Sequence, residues 1–176
     1  MYSCHQLCPH AYADDTQIYG FCQPSTSIDL VDRVSACVAD VSNWMGSNRL
    51  LLNPTKTEVL WCSSRRRQHL LPTGIIRINN TPVTPVSSVW NLGVHIECDT
   101  AMKNHVTTVV RSCFAALRQI RSARHALITL IRALVVSKVD YCNSVLAGVS
   151  GHVMDRLQSV LNAAVRLIFS AQRSVL

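Results

Sequence analysis

A chain of 176 residues, 48% hydrophobic and 15% charged, can bury a core of ordinary domain size, which excludes a disordered tail. No uninterrupted apolar run approaches the roughly 20 residues that span a bilayer. The start, Met1-Tyr2-Ser3-Cys4-His5, has neither the basic nor the apolar part of a secretory leader, so a soluble intracellular protein without a membrane partner is expected. The formal charge of +7 is unevenly placed: residues 1–101 hold 7 Lys/Arg against 8 Asp/Glu (−1), and residues 102–176 hold 10 against 2 (+8). A basic half fits a polyanionic partner, and a solvated helix surface rich in arginine fits the same count.

In chain order, Cys4-His5 and Cys8-x-His10 come first. Their spacing fits no common zinc finger, and they are read as incidental residues entering a strand. Asp14-Asp15 follows Ala11-Tyr12-Ala13 and precedes Thr16-Gln17-Ile18-Tyr19, which places two carboxylates at a tight turn between strand-like flanks. Such a pair repels itself unless a cation or hydrogen-bond donors neutralise it. Hard oxygen ligands of this kind suit Mg²⁺, and a bare pair also fits a solvated turn.

After the loop Gln23–Ser27, the apolar positions Ile28, Val31, Val34, Val38, Val41 and Met45 predict an amphipathic helix ending near Gly46 and Asn48. Asn53-Pro54 makes a turn, Glu58–Cys62 reads as a strand, and Arg65-Arg66-Arg67 lies in a loop. Ile75–Ile78, Asn79-Asn80 and Thr81–Val83 read as strand, tight turn and return strand, and Val89–Ile96 as a further strand with a glycine inside it. From Met102 the period is helical, with three apolar stripes led by Met102, Leu127 and Val153, and arginines mostly between them. Trp44, Trp61 and Trp90 sit in or beside apolar stretches; core packing is favoured for each over base stacking.

Several of these segments together resemble one family. Tyr12-Ala13-Asp14-Asp15 looks like the YxDD hairpin of reverse transcriptases, and Leu51–Glu58 (LLNPTKTE) resembles the LNPxKTE segment of non-LTR, LINE-type retrotransposon polymerases. Asn91-Leu92-Gly93-Val94 resembles the hairpin called the primer grip. Asp140-Tyr141-Cys142-Asn143 and Leu157–Arg166 look like the helical thumb of the CR1/L2-like group.

The resemblance implies an α+β fold: a partial polymerase palm over 1–101, carrying the YxDD hairpin, a helix and strands, and an all-α, basic thumb-like bundle over 102–176. It implies that Asp14 and Asp15 belong to the catalytic, Mg²⁺-binding carboxylates, with Asp14 as direct ligand and Asp15 supporting. Tyr12 and Ala13 would lie beside the primer terminus. Lys56 would lie near the incoming triphosphate as electrostatic partner or proton donor, although a surface lysine after a turn reads the same. Leu92 and Gly93 would bring backbone close to the primer, and Arg111, Arg118, Arg121 and Arg124 would track the duplex by charge. RNA template and DNA primer are the implied partners.

Family members also have fingers and an earlier palm aspartate, for which the thirteen residues before Asp14 leave no room. The isolated chain is therefore expected not to polymerise unless a complementing polymerase chain supplies the rest. The alternative expectation is a non-catalytic module that holds nucleic acid or protein through its basic helices.

Overall fold

The computed structural model describes residues 5–13, 15–78, 81–123, 126–141 and 143–173. It is a mixed α+β structure that divides into two compact units, Met1–Val89 and Trp90–Leu176. Among the described residues it holds five α-helices and three two-stranded sheets.

In the first unit, β1 (Cys8–Tyr12) and β2 (Asp15–Tyr19) pair antiparallel, with Cys8 opposite Tyr19 and Tyr12 opposite Asp15. Leu7, buried ahead of β1, and the partly buried Ile18 join the hairpin to α1 (Ser27–Ser47) through Leu30, Val34 and Cys37. The approach is close: a Cβ on Gly20 would lie 2.8 Å from both Leu30 Cδ1 and Leu7 Cδ2, which only glycine tolerates without repacking. Within α1, Leu30, Cys37 and Val38 are buried at helical spacing. Burial raises the Cys37 thiol pKa, and nearby Asp40 adds to this. Ile28, expected on the same face, is exposed one turn before the packed stretch begins. The helix ends as expected, with the Asn48 amide on the carbonyls of Trp44, Met45 and Gly46. At its start the Thr26 hydroxyl donates back to Gln23 O (3.2 Å) and does not cap the helix.

Strands β3 (Ile76–Ile78) and β4 (Thr81–Val83) pair antiparallel and lay Ile76, Ile78 and Val83 against Val38 of α1. The expected tight turn at Asn79-Asn80 lies outside the described residues. The strand expected over 58–62 is reduced to one parallel bridge, Leu60 with Val86, where the Val86 amide donates to Val59 O (2.8 Å).

In the second unit, the single strand expected over 89–96 is a hairpin. Strands β5 (Ser88–Asn91) and β6 (Val94–Glu97) flank Leu92 and Gly93. Val94 and the partly buried Ile96 pack on α2 (Lys103–Ile120) together with Met102, Val106, Leu146, Val153 and Leu157. The hairpin thus shares its core with the helices after it, across the division expected at residue 101.

A second helical stretch consists of α3 (Leu127–Ile131), a π-helical turn (Arg132–Val136) and α4 (Ser137–Asp140). The third helix is α5 (Gly151–Arg173). Val153 and Leu157 of α5 meet the start of α2, whereas Val160 and Ala164 meet Cys113, Leu117 and Ile120 near its end. Helices α2 and α5 therefore run in the same direction, and the 127–140 stretch returns between them. At the π turn the fully buried Val135 lies under α2, and its carbonyl accepts the Cys113 thiol at 3.9 Å. Burial raises the pKa of that thiol, which keeps it protonated and able to donate. No helix among the described residues is long and apolar enough to cross a membrane.

Helix α2 starts on Met102, a residue with no capping side chain, at φ 54°. Glu97 of β6 supplies the cap, its carboxylate accepting the amides of Lys103 (2.6 Å) and Asn104 (3.3 Å). A carboxylate at this point meets two of the free amides and the positive end of the helix. Glu97→Ala is expected to cost about 1 kcal/mol, lowering the thermal midpoint of the helical unit by roughly 4–8 °C, with Glu97→Gln intermediate; thermal unfolding followed by circular dichroism checks it.

Candidate nucleic-acid interface

The candidate residues fall into both units, and each unit presents its own set. In the first, the register sets Tyr12 opposite Asp15 at the tip of the β1–β2 hairpin, with Ala13 following Tyr12. Ala13 takes φ 53°, the left-handed conformation that tight hairpin turns require at their first central position. Cross-strand partners share a face, so Tyr12 and Asp15 lie on the same side as His10, Gln17, Cys8 and Tyr19. That side faces solvent: Tyr12 is 65% exposed, and the Tyr19 ring meets only the edge of Phe21, at 6.0 Å, among the ring contacts of the described residues. Of the expected Tyr12-Ala13-Asp14-Asp15 hairpin, Tyr12, Ala13 and Asp15 lie at the tip of β1–β2 and Asp14 lies outside the described residues.

Whether these groups fit a Mg²⁺ ion turns on the donor set. Asp15 supplies one hard oxygen ligand from an exposed turn, and no three His, Cys, Asp or Glu side chains converge among the described residues. The described residues do not by themselves assemble a cation shell.

Lys56 ends a short 3₁₀ turn, Pro54–Lys56. Asn53 holds that turn, its Oδ1 accepting the Thr55 amide (3.0 Å) and hydroxyl (2.7 Å), and its carbonyl the Lys56 amide (3.2 Å). This accounts for the Asn-Pro-Thr-Lys order, because an Asx cap presets the turn. The Lys56 side chain is exposed, and no ion pair joins it to Asp15.

In the second unit, Leu92 and Gly93 stand at φ 45° and 82°, the two positive values of a type I′ turn. For leucine this costs roughly 1–2 kcal/mol, so something must hold it. Tyr141, just past α4, does so. Its hydroxyl donates to Leu92 O at 2.7 Å, and its ring lies where a Gly93 Cβ would come within 3.1 Å of Cε1. Residues 92–93 and Tyr141, far apart in the sequence, thus meet. Sequence reasoning assigns Tyr141 no role of its own, and the signal that could have found it is the need of a Leu-Gly turn for an external donor.

Lys103, Arg111, Arg118 and Arg121, at intervals of eight, seven and three residues, follow one side of α2. All four are exposed, as is Phe114 between them. Among the described residues the three arginines have no ion pair; the single one there is His5 with Asp40, at 2.8 Å in the first unit. Arg156 of α5 differs, donating to Thr107 Oγ1 at 2.9 Å. Arg124 lies outside the described residues.

Opposite this stripe, His105 is buried and its Nδ1 has no hydrogen-bond partner among the described residues. Burial lowers its pKa, and His95 lowers it further, so the ring is held neutral. Of the tryptophans expected in the core, Trp61 packs there beside Val59 and Leu30. Trp44 and Trp90 do not: they are 51% and 57% exposed. Trp44, seven residues after Cys37, lies near the end of α1 beyond its buried stretch, and Trp90 points from the solvent side of the β5–β6 hairpin.

No family model matches the chain, and no significant match to a curated protein or to a solved structure was found.

The Tyr141 contact makes a sharp expectation. Tyr141→Phe should cost about 1 kcal/mol through the lost hydrogen bond. Gly93→Ala should cost at least as much, because it adds left-handed strain to the 3.1 Å encounter. Combined, they should cost less than the sum, measured by denaturant titration; strict additivity would show that the ring and the turn act independently.

Proposed function

We propose that this chain is the palm and thumb portion of an RNA-directed DNA polymerase of the LINE retroelement type, and that it engages a template–primer duplex. The observation that carries this reading is the meeting of Tyr141 with the Leu92-Gly93 turn. It joins two segments that resemble the family independently, in a chain whose Tyr12 and Asp15, of the YxDD-like segment, also pair across a hairpin. In this reading the first unit corresponds to palm and the second to thumb with the primer-grip hairpin. Tyr12 and Ala13 would adjoin the primer end, and Lys56 the triphosphate. Asp14 and Asp15 would hold Mg²⁺ together with carboxylates beyond those that converge among the described residues.

A second reading, a non-catalytic nucleic-acid-binding module, is favoured by the exposed arginines of α2, which form no ion pair among the described residues. It needs only their charge. Both readings require phosphate contacts, so affinity for an RNA–DNA duplex should fall steeply with salt. Arg111→Gln/Arg118→Gln/Arg121→Gln should flatten the dependence of log K on log salt by about 3. A salt-independent wild-type affinity would exclude both.

Primer extension separates them. Any incorporation on an RNA template with Mg²⁺ is expected to fall at least about 100-fold in Asp14→Asn/Asp15→Asn, while duplex affinity changes little. Incorporation that survives the double substitution would exclude these aspartates as its source.

A further inference from the structure

Trp90 stands out among the exposed side chains of the second unit. A large ring left 57% exposed forgoes burial that a tryptophan ordinarily gains, yet this ring is not loose. The two-residue turn sets Trp90 opposite His95, and their rings meet edge to face with centroids 4.3 Å apart and planes at 65°. The turn beneath them is held by Tyr141 through Leu92 O, and the opposite side of the hairpin is fixed by Val94 in the core under α2. Trp90 is therefore an oriented aromatic surface whose ordering cost is met within the unit.

We propose that Trp90, backed by His95, is a stacking site for an unpaired nucleobase. The assignment rests on the nucleic-acid reading above and adds a base-contacting position to it. Charge favours this occupant. Residues 90–176 hold 10 Lys/Arg against 4 Asp/Glu, a balance of +6, and the arginines of α2, the helix on which the hairpin packs, form no ion pair among the described residues. The hairpin's own acid, Glu97, falls on the same face as Trp90 by the turn register, but its oxygens are taken by the Lys103 and Asn104 amides. Every base offers a π face, so an indole in such a field selects single-stranded over paired bases without reading sequence.

The test compares oligothymidylate of about 12 nucleotides with a duplex of equal length at fixed salt, using the full chain. Trp90→Ala is expected to weaken single-strand binding at least about fivefold, with Trp90→Phe retaining most of the affinity, and to leave duplex binding unchanged. In a Trp44→Phe/Trp61→Phe background, where Trp90 is the only indole, saturating oligothymidylate should quench the emission. This second measurement needs no loss of the ring and so holds even if Trp90→Ala unfolds. Duplex binding by the wild type with unquenched emission, or equal single-strand affinity in a folded Trp90→Ala protein, overturns the proposal alone. A wild type that binds neither probe overturns it together with the nucleic-acid reading.

Discussion

Helix α2 is the constraint on which the second unit depends. Its buried residues, from His105 and Val106 through Cys113, Ala116 and Leu117 to Ile120, take part in two successive cores, one shared with the hairpin and the start of α5, the other with α3, the π turn and the later part of α5. Committing that side to apolar contacts leaves the other to solvent, and the basic residues are there. The neutral, buried His105 and the exposed Arg111 are thus two results of one helical period. Charge on the inner side would have to be desolvated; on the outer side it stays hydrated and available.

A second tie reaches across 49 residues, from Tyr141 to Leu92. A leucine in the left-handed region would normally relax, and an exposed two-stranded hairpin is marginal by itself. Here the hairpin is pinned from three sides, by Val94 in the core, by Glu97 on the first amides of α2, and by the tyrosine at its turn. Such over-determination is how a strained turn persists. It also gives the outer face, with Trp90 and His95, a fixed orientation.

Helices are readable from the sequence because their cores repeat every three or four residues. Val31 to Val41 and Val153 to Ile168 specify a buried side without reference to any partner. The turn at Ala13 is readable for a related reason, since adjacent aspartates between strand-like flanks have few other placements. Partnership is what the sequence hides. Nothing local distinguishes Trp61, which packs, from Trp90, which does not. The Val89–Ile96 run has the alternation of one strand, and only the positive φ values of Leu92 and Gly93 fold it into two. Residues 58–62 have strand composition, yet among the described residues they form a single bridge, Leu60 with Val86. Of the candidate site, Tyr12, Lys56 and the α2 arginines are exposed, while the Leu-Gly turn signals the need for an outside donor and only three dimensions show it to be Tyr141.

The π turn at Arg132–Val136 sets the rotational phase of the helical stretch beyond it. A turn of this kind holds one residue more than an α-helical turn. Were the same residues wound as a regular α-helix, the part beyond them would be rotated by about 100°. Val135 would leave its buried position over Cys113, and Tyr141 would swing away from Leu92. The width of one helical turn is thus the gauge that brings a tyrosine to a hairpin 49 residues earlier in the chain. A chain with one residue fewer in this stretch would reach the same phase with an ordinary α-helical turn.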